Sequence, residues 1–165
     1  HYLHRRQRQM CIRDSSRLVS FQIPLKYDSM KVYLAGPIEI CSEDEILVWR
    51  NYISSKVNKD ITIITPKYHL GSDEEIFENT RSNVEECDIV FAHLPKAINE
   101  RRASYGTIFE IAYGHALKKR VMVISDDKFV HEHPVMNQIS EMYYSLDAAL
   151  LSISPPSTTG GSAGC

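Results

Sequence analysis

Polar and apolar positions along the chain alternate between two rhythms. "KVYLAG" (31–36) is a short apolar run that stops at Gly36-Pro37, which reads as a buried strand. "SEDEILVWRNYISSKV" (42–57) follows at helical spacing, with Ile46, Trp49, Ile53 and Val57 recurring on one side. Ser42 is placed to cap that helix, and Glu43, Asp44 and Glu45 fall in its first turn, where the macrodipole favours acids. "ITIITP" (61–66) predicts a second strand closed by Pro66. "DEEIFENTRSNVEEC" (73–87) predicts a second helix, with Ile76, Asn79/Thr80, Asn83/Val84 and Cys87 on one face. "DIVFAHL" (88–94) predicts a third strand, 105–118 a third helix, "RVMVIS" (120–125) a fourth strand, and 134–153 a terminal helix with a break near Ser145. Strands and helices in strict alternation predict an α/β domain with a mainly parallel sheet covered on both faces.

In such sheets, ligands sit beyond the carboxyl ends of the strands, where strand order reverses. Two loops are expected there, "AGPIEI" after the first strand and "RRASYGT" after the third. In the first, Gly36 allows close backbone approach to a ligand and Pro37 fixes the turn, with Ile38 following. In the second, Ser104, Gly106 and Thr107 precede a helix whose first amides can hold an anion or a sugar hydroxyl. Thr107-Ile-Phe-Glu110 fits a capping box, in which Glu110 bonds back to the cap. The competing reading makes Glu110 chemical, because its neighbours Ile108, Phe109, Ile111, Ala112 and Ala116 suggest a helix buried around much of its circumference.

Composition narrows the class further. The 165 residues suit one domain, with 43% hydrophobic and 24% charged residues, and a net charge of −2 gives no pull toward nucleic acid or an anionic membrane. No apolar run approaches the roughly 18–20 residues that span a bilayer. The four cysteines are scattered, which argues against a zinc site or a disulfide framework and suits the cytoplasm. Residues 1–29 hold six Lys/Arg against two Asp. "RQRQMCIRDS" resembles translated adapter sequence, so 1–29 is read as a non-native or disordered basic leader; a nucleic-acid-binding arm is the alternative. The domain is expected over 30–153, and the Pro/Ser/Gly-rich 154–165 as a flexible tail.

"MKVYLAGPI", "EECDIVFAHL" and "SYGTIFEIAYGHALKKRVMVI", taken in that order, resemble the nucleoside 2-deoxyribosyltransferase superfamily, which includes nucleotide N-glycosidases. The resemblance runs from Met30 to Ile124. It implies a flavodoxin-like, Rossmann-like three-layer fold, no cofactor, and a glutamate nucleophile at Glu110 that attacks C1′ of a 2′-deoxynucleoside. Tyr33 matches the tyrosine that holds the nucleophile. The substrate region then takes in Gly36, Pro37, Ile38, Ser104, Gly106 and Thr107. Transferases of the family resemble one another in an Asp six residues before the nucleophile, where this chain has Ser104, as the nucleotide glycosidases do. An acidic first loop, "GPIEICSEDE", cuts against a phosphate, although Arg101 and Arg102 can supply charge. Where the transferases carry a base-handling Asp, eight residues before Asp88, this chain has Thr80. Asp88 itself is a weaker candidate that can equally fix a loop.

Trp49 on the first helix is read as core or as a platform for a base. A metal at His131 and His133 lacks a third ligand in sequence. The family completes its site with a neighbouring subunit, which implies a homo-oligomer, with Asn137 as a substrate contact and Tyr143 and Tyr144 as interface aromatics.

Overall fold

The computed structural model describes residues 29–38, 41–67, 71–96 and 104–153. The leader through residue 28, the tail from residue 154, and Arg101 and Arg102 lie outside them. Five strands form one sheet: β1 (Met30–Ala35), β2 (Ile61–Ile64), β3 (Ile89–His93), β4 (Arg120–Ile124) and β5 (Glu141–Tyr143). The order is β2-β1-β3-β4-β5 and every pairing is parallel. The chain moves outward from β1 to β2, then crosses back to place β3 on the other side of β1. That reversal sets the switch point between β1 and β3, with Gly36 and Leu94 at its rim.

Period-two alternation sorts the strands' side chains. Val32, Leu34, Ile89, Phe91, Met122 and Ile124 face one side, where they pack with Trp49 and Ile53 of α1 (Glu43–Lys56) and with Ala149 and Ile153 of α6 (Leu146–Ile153). Tyr33, Ala35, Val90, Ala92, Val121 and Val123 face the other. There they meet Val84 of α2 (Asp73–Glu86), Ile111 of α3 (Tyr105–Ala116) and Met136 of α5 (Pro134–Ile139). A single turn, α4 (Lys128–His131), precedes α5. Ser42 and Ser72 both close full capping boxes, with Glu45 and Glu75 reaching back to the cap amides.

Three expectations are corrected. The terminal helix over 134–153 is two helices with the edge strand β5 between them. Met142 and Tyr143 instead extend the sheet, pairing with Val123 and Ile124. The cap of α3 is Ser104, whose hydroxyl accepts from the Thr107 amide; Thr107 and Glu110 form no capping box. And α3 is buried along one stripe only, with Ile108 and Phe109 exposed at 38% and 36% and Ala112 and Ala116 also outside.

Candidate active site

The buried stripe of α3 is Thr107, Glu110, Ile111 and Gly114. This i, i+3, i+4, i+7 spacing puts four side chains on one helix face, and the second of them is an acid. Gly114 lets the stripe approach closely, because a Cβ there would stand 2.7 Å from Val90 Cγ2. Held against the sheet, Glu110 is 6% exposed. The Tyr33 hydroxyl, from the centre of β1, donates to its Oε1 at 2.6 Å.

Burial dominates the acid's ionisation. It pushes the Glu110 carboxyl up to about 7, against the opposing pull of the Tyr33 hydrogen bond and the Arg50 charge. Glu110 is therefore about half ionised at neutral pH and can act as base or nucleophile. Burial, the Glu110 charge and the shared hydrogen bond raise Tyr33, which stays a protonated donor; Asn83 of α2, hydrogen-bonded to the same tyrosine, pulls the other way.

Around this pair the expected residues are placed unevenly. Ser104 caps α3 and accepts from the Thr107 amide at 3.3 Å and the Thr107 hydroxyl at 3.0 Å, so its own O–H remains to donate. Gly106 faces open space; only Ser104 Oγ would come within 4.0 Å of an added Cβ. Thr80 is half-buried on α2, one turn before Asn83. Pro37 and Ile38 follow β1, and the Ile38 carbonyl accepts from the Cys41 amide.

Gly36 has a packing reason for lacking a side chain. A Cβ would meet Trp49 Cζ2 at 2.7 Å, so the tryptophan by itself accounts for the missing side chain. Trp49 itself is core, 7% exposed. Asp88 is not brought to the site: at the amino ends of the strands its carboxylate accepts from the Lys31 amide and its backbone ties β1 to β4. Asn137 is exposed and donates to the His131 carbonyl at 2.8 Å. His131 bonds the Ser125 carbonyl and stacks on Tyr144 at 3.6 Å, while Tyr143 bonds Glu141 and Ser152. Among the described residues no three His, Cys, Asp or Glu side chains gather as a metal would need.

Two groups escaped the sequence reading. Asn83 falls on the face of its helix that carries Val84 and Cys87, but nothing in that spacing ties it to Tyr33. His93 ends β3 on the Trp49 side, ring to ring at 5.0 Å; its Nδ1 is buried with no hydrogen bond, and burial holds its pKa down at about 4. A histidine closing an otherwise apolar strand at the ligand end was the available signal.

Solved structures with this architecture supply the comparison. A 2-deoxyribosyltransferase from Leishmania mexicana matches with a TM-score of 0.61 at 19% identity, over 74% of this chain and 95% of that one. The fold is that of the 2-deoxyribosyltransferases. A CMP N-glycosidase from Clostridium botulinum shares the deoxyribosyltransferase fold at a TM-score of 0.50 and 17% identity, over 74% and 96% of the two chains. So does a molybdenum cofactor binding protein from Rippkaea orientalis, at 0.54 and 15%, over 76% and 95%. No protein-family model and no curated protein matches the chain. Among the described residues no helix is long and apolar enough to cross a membrane.

Proposed function

We propose that the protein cleaves the N-glycosidic bond of 2′-deoxynucleosides or their 5′-monophosphates through a covalent deoxyribosyl–Glu110 intermediate. The observation that carries this is the buried Tyr33–Glu110 pair, 2.6 Å apart, on a helix that starts at the carboxyl edge of the sheet. Tyr33 holds Oε1 and leaves Oε2 to attack C1′. The Oε2–C1′ bond forms as the C1′–N bond breaks, and the electron pair leaves on the base nitrogen, which takes up a proton. Water, or a second base, then attacks C1′ and releases the carboxylate. Two displacements replace one hard step, and a carboxylate beneath C1′ stabilises oxocarbenium-like charge.

Ser104 favours a nucleotide over a free nucleoside. Its remaining O–H, beside the first amides of α3, suits the oxygens of a phosphate, whereas an acid there would repel them. Gly106 and Thr107 belong to the same anion-facing turn, with Gly36, Pro37, Ile38 and Thr80 nearer the rest of the substrate. The active form is a homo-oligomer, supported by exposed Ile76, Phe77, Tyr105, Ile108 and Phe109 across α2 and α3. The buried thiol of Cys87 suits the cytoplasm.

The test is base release, followed by chromatography, from deoxynucleosides and deoxynucleotides, with a second free base added to separate transfer from hydrolysis. Wild type should release base and, on intact-mass analysis, gain one deoxyribosyl group; Glu110→Ala should do neither. Equal release by both proteins removes Glu110 as nucleophile. Nucleotide binding by calorimetry with no base release would make the protein a sensor on this fold.

A further inference from the structure

Arg50 heads the fully buried side chains, 1% exposed, although it stands on α1, across the sheet from α3. Its Nη1 donates to the Ile46 carbonyl at 2.6 Å, Nη2 to the Gly36 carbonyl at 3.1 Å and Nε to the Leu34 carbonyl at 3.4 Å. The guanidinium lies 4.4 Å from the centre of the Trp49 ring, the same ring that fills the space left by Gly36. Two of the three carbonyls belong to the chain just after Tyr33. The arginine thus pins the end of the strand that presents the tyrosine to Glu110. Withdrawing a cation from water is costly, and an apolar side chain would pack α1 onto β1 without that cost. The charge reaches across the sheet: Arg50 lowers the pKa of Glu110, of Tyr33 and of His93.

We propose that Arg50 is a positioning residue for the Tyr33–Glu110 pair: its buried guanidinium ties down the end of β1 and supplies fixed positive charge that favours the carboxylate form of Glu110. The proposal rests on the reading of Glu110 as nucleophile. Few groups compete for that role among the described residues. Tyr33 faces Glu110 from β1, with Asn83 of α2 behind it, and both are uncharged. On this face β3 and β4 offer valine and alanine, and α5 offers Met136. His93 is on the far face and neutral above about 4.

The experiment is a carbon-13 NMR titration of the glutamate side chains in the full chain, with the Glu110 signal assigned by Glu110→Gln. Arg50→Gln, which keeps an amide donor for the β1 carbonyls, should move the Glu110 midpoint up, with a matching loss of carboxylate at any pH below it. Arg50→Lys, which keeps the charge, should titrate with wild type. Circular dichroism melts establish that each variant is folded. A Gln variant that titrates with wild type overturns the proposal, and so does a Lys variant displaced as far as a neutral one. A merely structural arginine would lower melting temperature and leave the midpoint in place. No turnover is needed, so a null titration leaves the nucleophile reading standing. A protein that shifts as expected but never releases base removes that reading instead.

Discussion

A carboxyl that titrates near 7 in the fold and at 4.5 outside it works against the native state over that interval. Between those two values the folded chain binds more protons at this position than the unfolded chain, so stability is greatest below 4.5 and falls as pH rises through 7. The contribution is on the order of a few kcal/mol, since each pH unit of difference is worth about 1.4 kcal/mol. Glu110→Gln should abolish this dependence. Urea melts at pH 5 and pH 8 are expected to show wild type losing stability relative to the variant at the higher pH. Under the proposed mechanism activity runs the other way, because attack needs the carboxylate: kcat/KM should fall as pH drops below about 7. In Tyr33→Phe the hydrogen bond that opposes burial is gone, so that limb should move to higher pH. The loss of a hydrogen bond to a charged group, about 1.5–3 kcal/mol, predicts a drop of tenfold or more at neutral pH, read from initial rates across a pH series. Tyr33 and Glu110 were legible because each sits in a recognisable run and the runs come in the right order. Arg50 was not, because a lone arginine beside a tryptophan on an amphipathic helix reads as a surface residue; its burial follows from the carbonyls that β1 turns toward it.

At the scale of elements, α3 decides where the proposed nucleophile stands. Its closeness to β3 depends on Gly114, where a Cβ would meet Val90 at 2.7 Å and a backbone shift is the way out. Gly114→Ala is expected to cost about 1–3 kcal/mol from overpacking, less any gain in helix propensity, and to lengthen the Tyr33–Glu110 contact. Thermal melts and kcat on the same sample check both effects together; unchanged kcat in a destabilised protein would separate the packing from the site. The pattern along the chain placed β1 to β4 and α1 to α3 within a residue or two, since each is long or strongly periodic. It failed at 134–153, where Met142, Tyr143 and Leu146 fit a helix as well as a strand and a three-residue edge strand has too little periodicity to declare itself. The cap of α3 was misplaced for a related reason: Ser104 and Thr107 both offer hydroxyls at the right distance from an apolar run, and only the position of the first helical turn tells them apart.

Across the whole molecule, polar and apolar surface are unevenly shared. Phe77 and Phe109 touch at 5.7 Å between α2 and α3, and Phe109 stacks on Tyr113 at 5.5 Å, yet Phe77 remains 49% exposed. A patch of this kind is commonly covered by another chain. Phe77→Glu should convert the proposed oligomer to monomer in sedimentation velocity; wild type that already sediments as a monomer would remove the oligomer from the account. The parallel sheet has one more result. Every strand starts at the same edge, so Met30 and Ile61 lie side by side there, and α6 returns to that edge, where Ile153 and Ile61 line one recess. The described domain is therefore entered and left on the side remote from Ser104 and the first turn of α3. Held at Met30 or at Ile153, the described domain would keep the proposed site turned outward, toward whatever is dissolved around it.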